Sequence, residues 1–270
     1  VRAAAVGQGR SYQYGHFFTE VLPSLVRLLE EVPGDVPIVY FAPKKVAEDV
    51  FWAFVEFGMW DPQRFVFVGS EEKGSVFVEE LFLAPTFKSA DAMRGLRDFM
   101  ATNYARRMAS GGSMAPLQSS EGLQVIFQIR KKKERRWKGV DLCQETVESL
   151  GNARSLPVNI TRDEGNLTIG RVIALYETMH VLVGPHGAGL SNAVFLRTGS
   201  ALIELCHPGL KQYWRPDCRW FGDDFRAMGH RVISLLCKDC NQAGALQVDH
   251  VELAELVLHL AAVRQSEKAG

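Results

Sequence analysis

No apolar run in this 270-residue sequence approaches the roughly 18 residues that a membrane-spanning helix requires. No basic segment followed by an apolar stretch opens it, so it shows no secretory leader of its own. It begins with Val1 rather than Met and reads as a piece excised from a longer chain, with any membrane anchor expected outside it. Net charge is missing too. A formal total of +0 argues against a molecule tuned as a whole to nucleic acid or to anionic lipid. Cysteine is sparse: Cys143, Cys206, Cys218, Cys237 and Cys240. Cys237 and Cys240 form a C-x-x-C, without the second pair or histidine pair that a structural zinc site takes. That pair reads as structural, either as a disulfide or as two thiols. Finally, no G-x-G-x-x-G opens a βαβ unit with an acidic residue about 20 positions on, and no glycine loop ends in Lys-Ser/Thr. These absences disfavour an NAD-type oxidoreductase and a P-loop enzyme.

What is present is ample material for a core. Hydrophobic residues make up 47% of the chain and charged residues 23%, as in an ordinary soluble protein. Short β-branched runs predict strands at 36–41, 64–68, 76–84, 123–129, 180–184, 201–205 and 231–236. Helical periodicity covers 16–31, 43–58, 91–107, 141–150, 168–178 and 248–264, and Pro23 is expected to kink the first of these or to start a second helix. Strands alternating with helices predict parallel sheets covered on both faces. The Gly- and Ser-rich stretch ASGGSMAPLQSSEG reads as a linker. The expected organisation is an N-terminal domain over 1–110, a linker over 111–122 and a C-terminal domain over 123–270. Each domain is Rossmann-like, and a cleft is expected between them.

Three segments carry chemistry. The first is HVLVGPHGAGLSNAVFLRTGSALIEL, an apolar strand running into a loop with Gly184, Gly187 and Gly189. A helix is expected to begin near Leu190 to Asn192. Glycines let a ligand approach the backbone, and free N–H groups at a helix start suit a pyrophosphate. His186 adds a donor there. Glu204, ending the next strand, stands where an α/β sheet presents ligand-binding groups and could grip ribose hydroxyls. A tight strand-to-helix turn with no ligand explains the same residues, and the residues alone leave both readings open.

The second segment is QIRKKKERRWK, where seven basic residues against Glu134 give a local charge of +6. Most of the lysines read as a solvated loop. Arg130, at a strand end, and one of Arg135 and Arg136 read as phosphate ligands, because a guanidinium holds phosphate in bidentate fashion. A nucleic-acid patch is disfavoured by the neutral total and by the lack of a known module. The third segment is YGHFFTEVLPSL. His16 and Glu20 lie four apart and share a helix face. They read either as a general base oriented by a carboxylate or as a plain surface pair.

Together the three segments resemble glycosyltransferase family 61. That family includes plant xylosyl- and arabinosyltransferases of xylan and animal enzymes that add N-acetylglucosamine to proteins. Its pattern is an early H-F-x-x-E-x-L-P-x-L, then a strand followed by Arg and further basic residues. G-x-H-G-A-G-L-x-N-x-x-F and an acidic strand end complete it. Here these are His16 to Leu25, Arg130 to Arg136, and Gly184 to Glu204. The sequence departs from it in its longer basic run, in Arg171 where Gln is common, and in the stretch after Glu204.

The resemblance implies a GT-B-like α/β fold and an inverting glycosyltransferase. The donor would be a nucleoside-diphosphate sugar, with UDP as the carrier, bound mainly on the C-terminal domain by Arg130, Arg135, Arg136, His186, Gly187, Ala188, Gly189, Asn192 and Glu204. The acceptor would be a hydroxyl of a glycan or glycoprotein, with His16 and Glu20 as the catalytic pair. No D-x-D occurs, since Asp223 and Asp224 are adjacent, so no metal and no further cofactor is expected. The family's usual setting implies the Golgi or endoplasmic reticulum lumen and a single-pass membrane protein. The sequons at Asn159 and Asn166 fit that setting. A catalytically inactive member that binds a nucleotide or glycan is the alternative.

Overall fold

A computed structural model describes residues 2–7, 17–41, 61–68, 78–83, 90–109, 122–130, 136–206, 222–237 and 246–269. The chain divides into two compact units, one of residues 1–115 with 168–173, the other of residues 116–167 with 174–270. The helix expected over 43–58 lies outside the described residues.

In the first unit the elements run β1 (Arg2–Gly7), a π-helical turn (Phe17–Val21), α1 (Leu22–Glu31), β2 (Ile38–Phe41), β3 (Phe65–Val68), β4 (Glu80–Leu83) and α2 (Ala90–Ala109). Pro23 sits in the first turn of α1. A missing N–H costs nothing there, so the periodic stretch breaks into two helices at the proline. The four strands are parallel, in the order β3-β2-β1-β4. β1 (RAAAVG) was not expected from the sequence. Its alanines have little strand propensity, yet Ala3, Ala4 and Ala5 are buried inside the sheet, where neighbours on both sides supply the backbone bonds. Phe17, Phe18 and Tyr40 pack edge to face beside them.

In the second unit follow β5 (Leu123–Gln128), β6 (Trp137–Lys138), α3 (Val140–Ala153), β7 (Val158–Asp163), the second half of α4 (Ile169–Thr178), β8 (Val181–Pro185), a 3₁₀ helix (Ala188–Phe195), β9 (Ala201–Cys206), α5 (Gly222–Ala227), β10 (Arg231–Leu236), β11 (Leu246–Gln247) and α6 (His250–Ala269); the first half of α4 belongs to the first unit. The main sheet is wholly parallel, in the order β10-β9-β8-β5-β7. Every residue of β5, β8 and β9 is buried, which is why these strands read as unbroken apolar runs. Val125, Phe127, Val183, Ile203 and Leu205 pack there with Trp137, Val147, Leu253 and Val257. Full burial of a side chain such as Phe127 contributes roughly 1.5–3 kcal/mol. Cys143 and Cys206 are free and buried, and Cys237 is disulfide-bonded.

The α/β class with parallel sheets therefore holds in both units. The order of the second sheet matters for function. β5 is its first strand, β7 is added on one side of β5, and β8, β9 and β10 are added on the other. The chain reverses its direction of growth between β5 and β8. In open α/β sheets the crevice at the carboxyl ends of such a strand pair is where ligands bind.

Candidate active site at the carboxyl ends of β5 and β8

β5 and β8 lie side by side in parallel, with Val125 opposite Val181 and Phe127 opposite Val183. Both chains therefore leave the sheet at the same edge. After β5 come Ile129 and Arg130, and after β8 come His186, Gly187, Ala188 and Gly189. A cavity of about 240 Å³ opens between them, lined by Gln128, Ile129, Arg130, Glu164, Gly165, Pro185, Gly187, Ala188 and Gly189.

The loop is shaped by what lies against its glycines. Nη1 of Arg130 donates to the His186 carbonyl at 3.2 Å. A Cβ on Gly187 would stand 2.5 Å from that nitrogen. A Cβ on Gly189 would stand 2.6 Å from the amide carbon of Gln128, and one on Gly184 would meet Gln128 at 3.0 Å. The three glycines are thus the room that the Arg130 and Gln128 side chains occupy. The loop runs directly into a 3₁₀ helix at Ala188, earlier than the start expected near Leu190 to Asn192. Leu190 to Phe195 are all buried, so this segment is anchored on every side rather than amphipathic.

Behind the loop, Nδ1 of His186 is bonded to the Glu204 carboxylate. The pair is brought together by register, because Glu204 on β9 stands opposite Gly184 on β8. Glu204 is 0% exposed, and its Oε2 has no hydrogen-bond partner among the described residues. Its place differs from the one read from the sequence. The carboxylate is enclosed and bound to the imidazole, whereas gripping ribose requires exposure. The His186 ring is itself buried, and its carboxylate partner fixes it as an Nδ1 donor.

The other expected site residues fall as follows. Arg130, Gly187, Ala188 and Gly189 line the cavity. Asn192 is buried within the 3₁₀ helix and does not line it. Arg136 is exposed and does not line it, its carbonyl accepting the Leu246 N–H at 2.7 Å. Glu20 is half-buried in the π-helical turn of the first unit, where its carbonyl accepts from Ser24 Oγ at 3.0 Å. His16 and Arg135 lie outside the described residues. Among those described, no three His, Cys, Asp or Glu side chains group as metal ligands.

Sequence reading missed Gln128 and Glu164. Gln128 ends an apolar strand and had only its position to recommend it. Glu164 follows β7, whose sequence VNITRD alternates at the sheet edge and offers no apolar run. With β7 unread, the residue after it had no strand end to belong to.

The family model described as Glycosyltransferase 61 matches residues 14–203, well over half of the chain. No curated protein matches the sequence. Among solved structures, the chain is similar to a glycosyl transferase of family 9 from Veillonella parvula. The identity is 9% and the TM-score 0.49, with 97% of each chain covered. It is likewise similar to ADP-heptose LPS heptosyltransferase II of E. coli, at 10% identity and a TM-score of 0.48, with 98% of this chain and 100% of that one covered. The family match spans the proline-bearing helix, the arm after β5 and the glycine loop, and by it the chain belongs to glycosyltransferase family 61.

Proposed function

We propose that this transferase moves a sugar from a nucleoside-diphosphate sugar, with UDP as carrier, to a hydroxyl of a glycan or glycoprotein, with inversion at the anomeric carbon. One observation carries the reading. A guanidinium and a loop of small residues opening a 3₁₀ helix line one cavity at the switch point of a parallel sheet. That combination suits a diphosphate. The cavity is smaller than those that enclose whole drug-sized ligands, so it takes the diphosphate and what directly adjoins it.

In this reading the acceptor oxygen attacks the anomeric carbon while the bond to the diphosphate oxygen breaks. Negative charge then grows on the leaving group. Arg130 and the backbone of 187–189 line the cavity, and in this reading their stabilisation of the leaving group increases as the bond breaks. With these charges supplied by the protein, the reading needs no metal. His16, oriented by Glu20, takes the acceptor proton. Exposed Asn159 and Asn166 in their sequons, together with the Cys237 disulfide, support a lumenal setting, in the Golgi or endoplasmic reticulum.

The test is to offer the protein a panel of UDP-sugars with xylan oligosaccharides and hydroxyl-bearing glycopeptides. Released UDP is measured, and the new anomeric centre is read by NMR. An inverted product supports the reading, and a retained one removes the single displacement. Nucleotide binding without transfer to any acceptor would favour the inactive binding module.

A further inference from the structure

Gln128 is the last residue of β5 and lines the cavity, yet it is only 8% exposed. Among the described residues its side-chain amide has no hydrogen-bond partner. A buried amide ordinarily finds one, because leaving it unmet costs roughly 1–3 kcal/mol. Neither polar atom of this amide is fully shut off from solvent, and the space it opens to is the cavity that it lines.

The amide is held there by shape. A Cβ on Gly189 would stand 2.2 Å from Nε2 and 2.8 Å from Oε1, and one on Gly184 would stand 3.2 Å from Oε1. The side chain therefore lies flat against two loop residues that have no side chains of their own. The arm beyond β5 stays extended, since the Ile129 N–H bonds to the Asp163 carbonyl at 2.7 Å. Residues two apart on an extended chain share a face. Arg130 accordingly covers Gly187 as Gln128 covers Gly184 and Gly189. Amide and guanidinium lie side by side along the glycine loop. A carboxamide can present its N–H end or its oxygen. Beside a guanidinium, and toward an anion held by that guanidinium, the N–H end is the favourable one.

From this geometry we infer that Gln128 is a further ligand of the donor diphosphate, with Nε2 donating to a phosphate oxygen next to Arg130. The inference rests on the donor-site reading above and deepens it by adding a neutral donor to the charged one. It also gives Gly184 and Gly189 a role in binding, as the room in which that donor lies.

The experiment is calorimetric titration of wild type, Gln128→Met and Gln128→Glu with inorganic pyrophosphate and with UDP, beside melting curves. Gln128→Met keeps the volume of the side chain next to the glycines, so its melting midpoint should stay close to that of wild type. It is expected to bind pyrophosphate and UDP each roughly tenfold more weakly, as for a lost hydrogen bond to a charged group. Gln128→Glu keeps the shape but sets a carboxylate against the phosphate, and should weaken both by roughly 100-fold. That deficit, taken against wild type at the same pH, should shrink as the pH is lowered, because the protonated carboxyl is again a donor. A side chain that merely fills space would show neither the gap between the two variants nor its dependence on pH. Binding of both ligands by Gln128→Met as tightly as by wild type overturns the inference. So does binding by Gln128→Glu as tight as wild type or tighter, which would mean that the amide accepts rather than donates. Either result leaves the donor site standing, whereas failure of wild type to bind pyrophosphate or UDP removes the donor-site reading itself.

Discussion

Nη1 of Arg130 donates to the carbonyl oxygen of His186 at 3.2 Å across 56 residues of sequence. That bond ties the arm after β5 to the glycine loop after β8, and it passes over Gly187, where any side chain would displace it. Gly187→Ala is therefore expected to push the guanidinium off the loop. Since groups misplaced by about 1 Å can cost on the order of 100-fold, kcat/KM should fall by about that factor, with the thermal midpoint lowered only slightly. Steady-state kinetics beside a melting curve check this.

Gly189 and Gln128 offer a cleaner contrast. A Cβ on Gly189 collides with the Gln128 amide, and overpacking of this kind costs roughly 1–3 kcal/mol. Gly189→Ala should be destabilised by that amount. Adding Gln128→Ala removes the obstacle, so the double variant should recover most of the loss. A double-mutant cycle from urea unfolding measures the coupling, and additive losses would show that the two residues do not compete for the same space.

Glu204→Gln keeps the size of the side chain and removes its charge. The His186 ring then loses the carboxylate that fixes it. Turnover should drop about 10- to 100-fold, with donor affinity changed less, because the cavity lining stays intact. His186→Ala should cost a similar factor, and the double variant should cost little more than either alone. Kinetics of all three decide whether the pair acts as one unit.

Cys143 gives a prediction for the core. Burial pushes its thiol up to about 11, opposed by the neighbouring Trp137 and aided by Asp249. The folded state therefore keeps a proton that the unfolded chain loses above about pH 9. The associated stability is fully present below pH 9 and declines as pH rises to 11, by roughly 2 kcal/mol. Urea unfolding at pH 8 and pH 10.5 should show this slope in wild type and a reduced slope in Cys143→Ala. At neutral pH Cys143 should resist alkylation in the native protein and react on unfolding.

Much of this architecture is legible without coordinates, for a physical reason. Strands buried on both faces, such as LQVIFQ and ALIELC, are unbroken apolar runs, and Pro23 marks a helix start by its missing N–H. β1 and β7 are not legible in this way. The first is built of alanines held by its neighbours, and the second is an edge strand that is only partly buried. At the site, the glycine loop and Arg130 could be found because their chemistry shows in the residue types. The burial of Glu204 could not, since it depends on the register that sets it opposite Gly184 beneath the loop. Nor could Glu164, whose strand went unread.

The central claim is that the cavity between Arg130 and the glycine loop binds the donor diphosphate. Titration of UDP, GDP, CMP and NAD by calorimetry, with and without Mn²⁺, repeated on Arg130→Ala, tests it most directly. The account predicts micromolar binding of UDP that ignores the metal and collapses in the variant. A folded protein that binds none of these nucleotides, or that binds UDP equally well without Arg130, would contradict it.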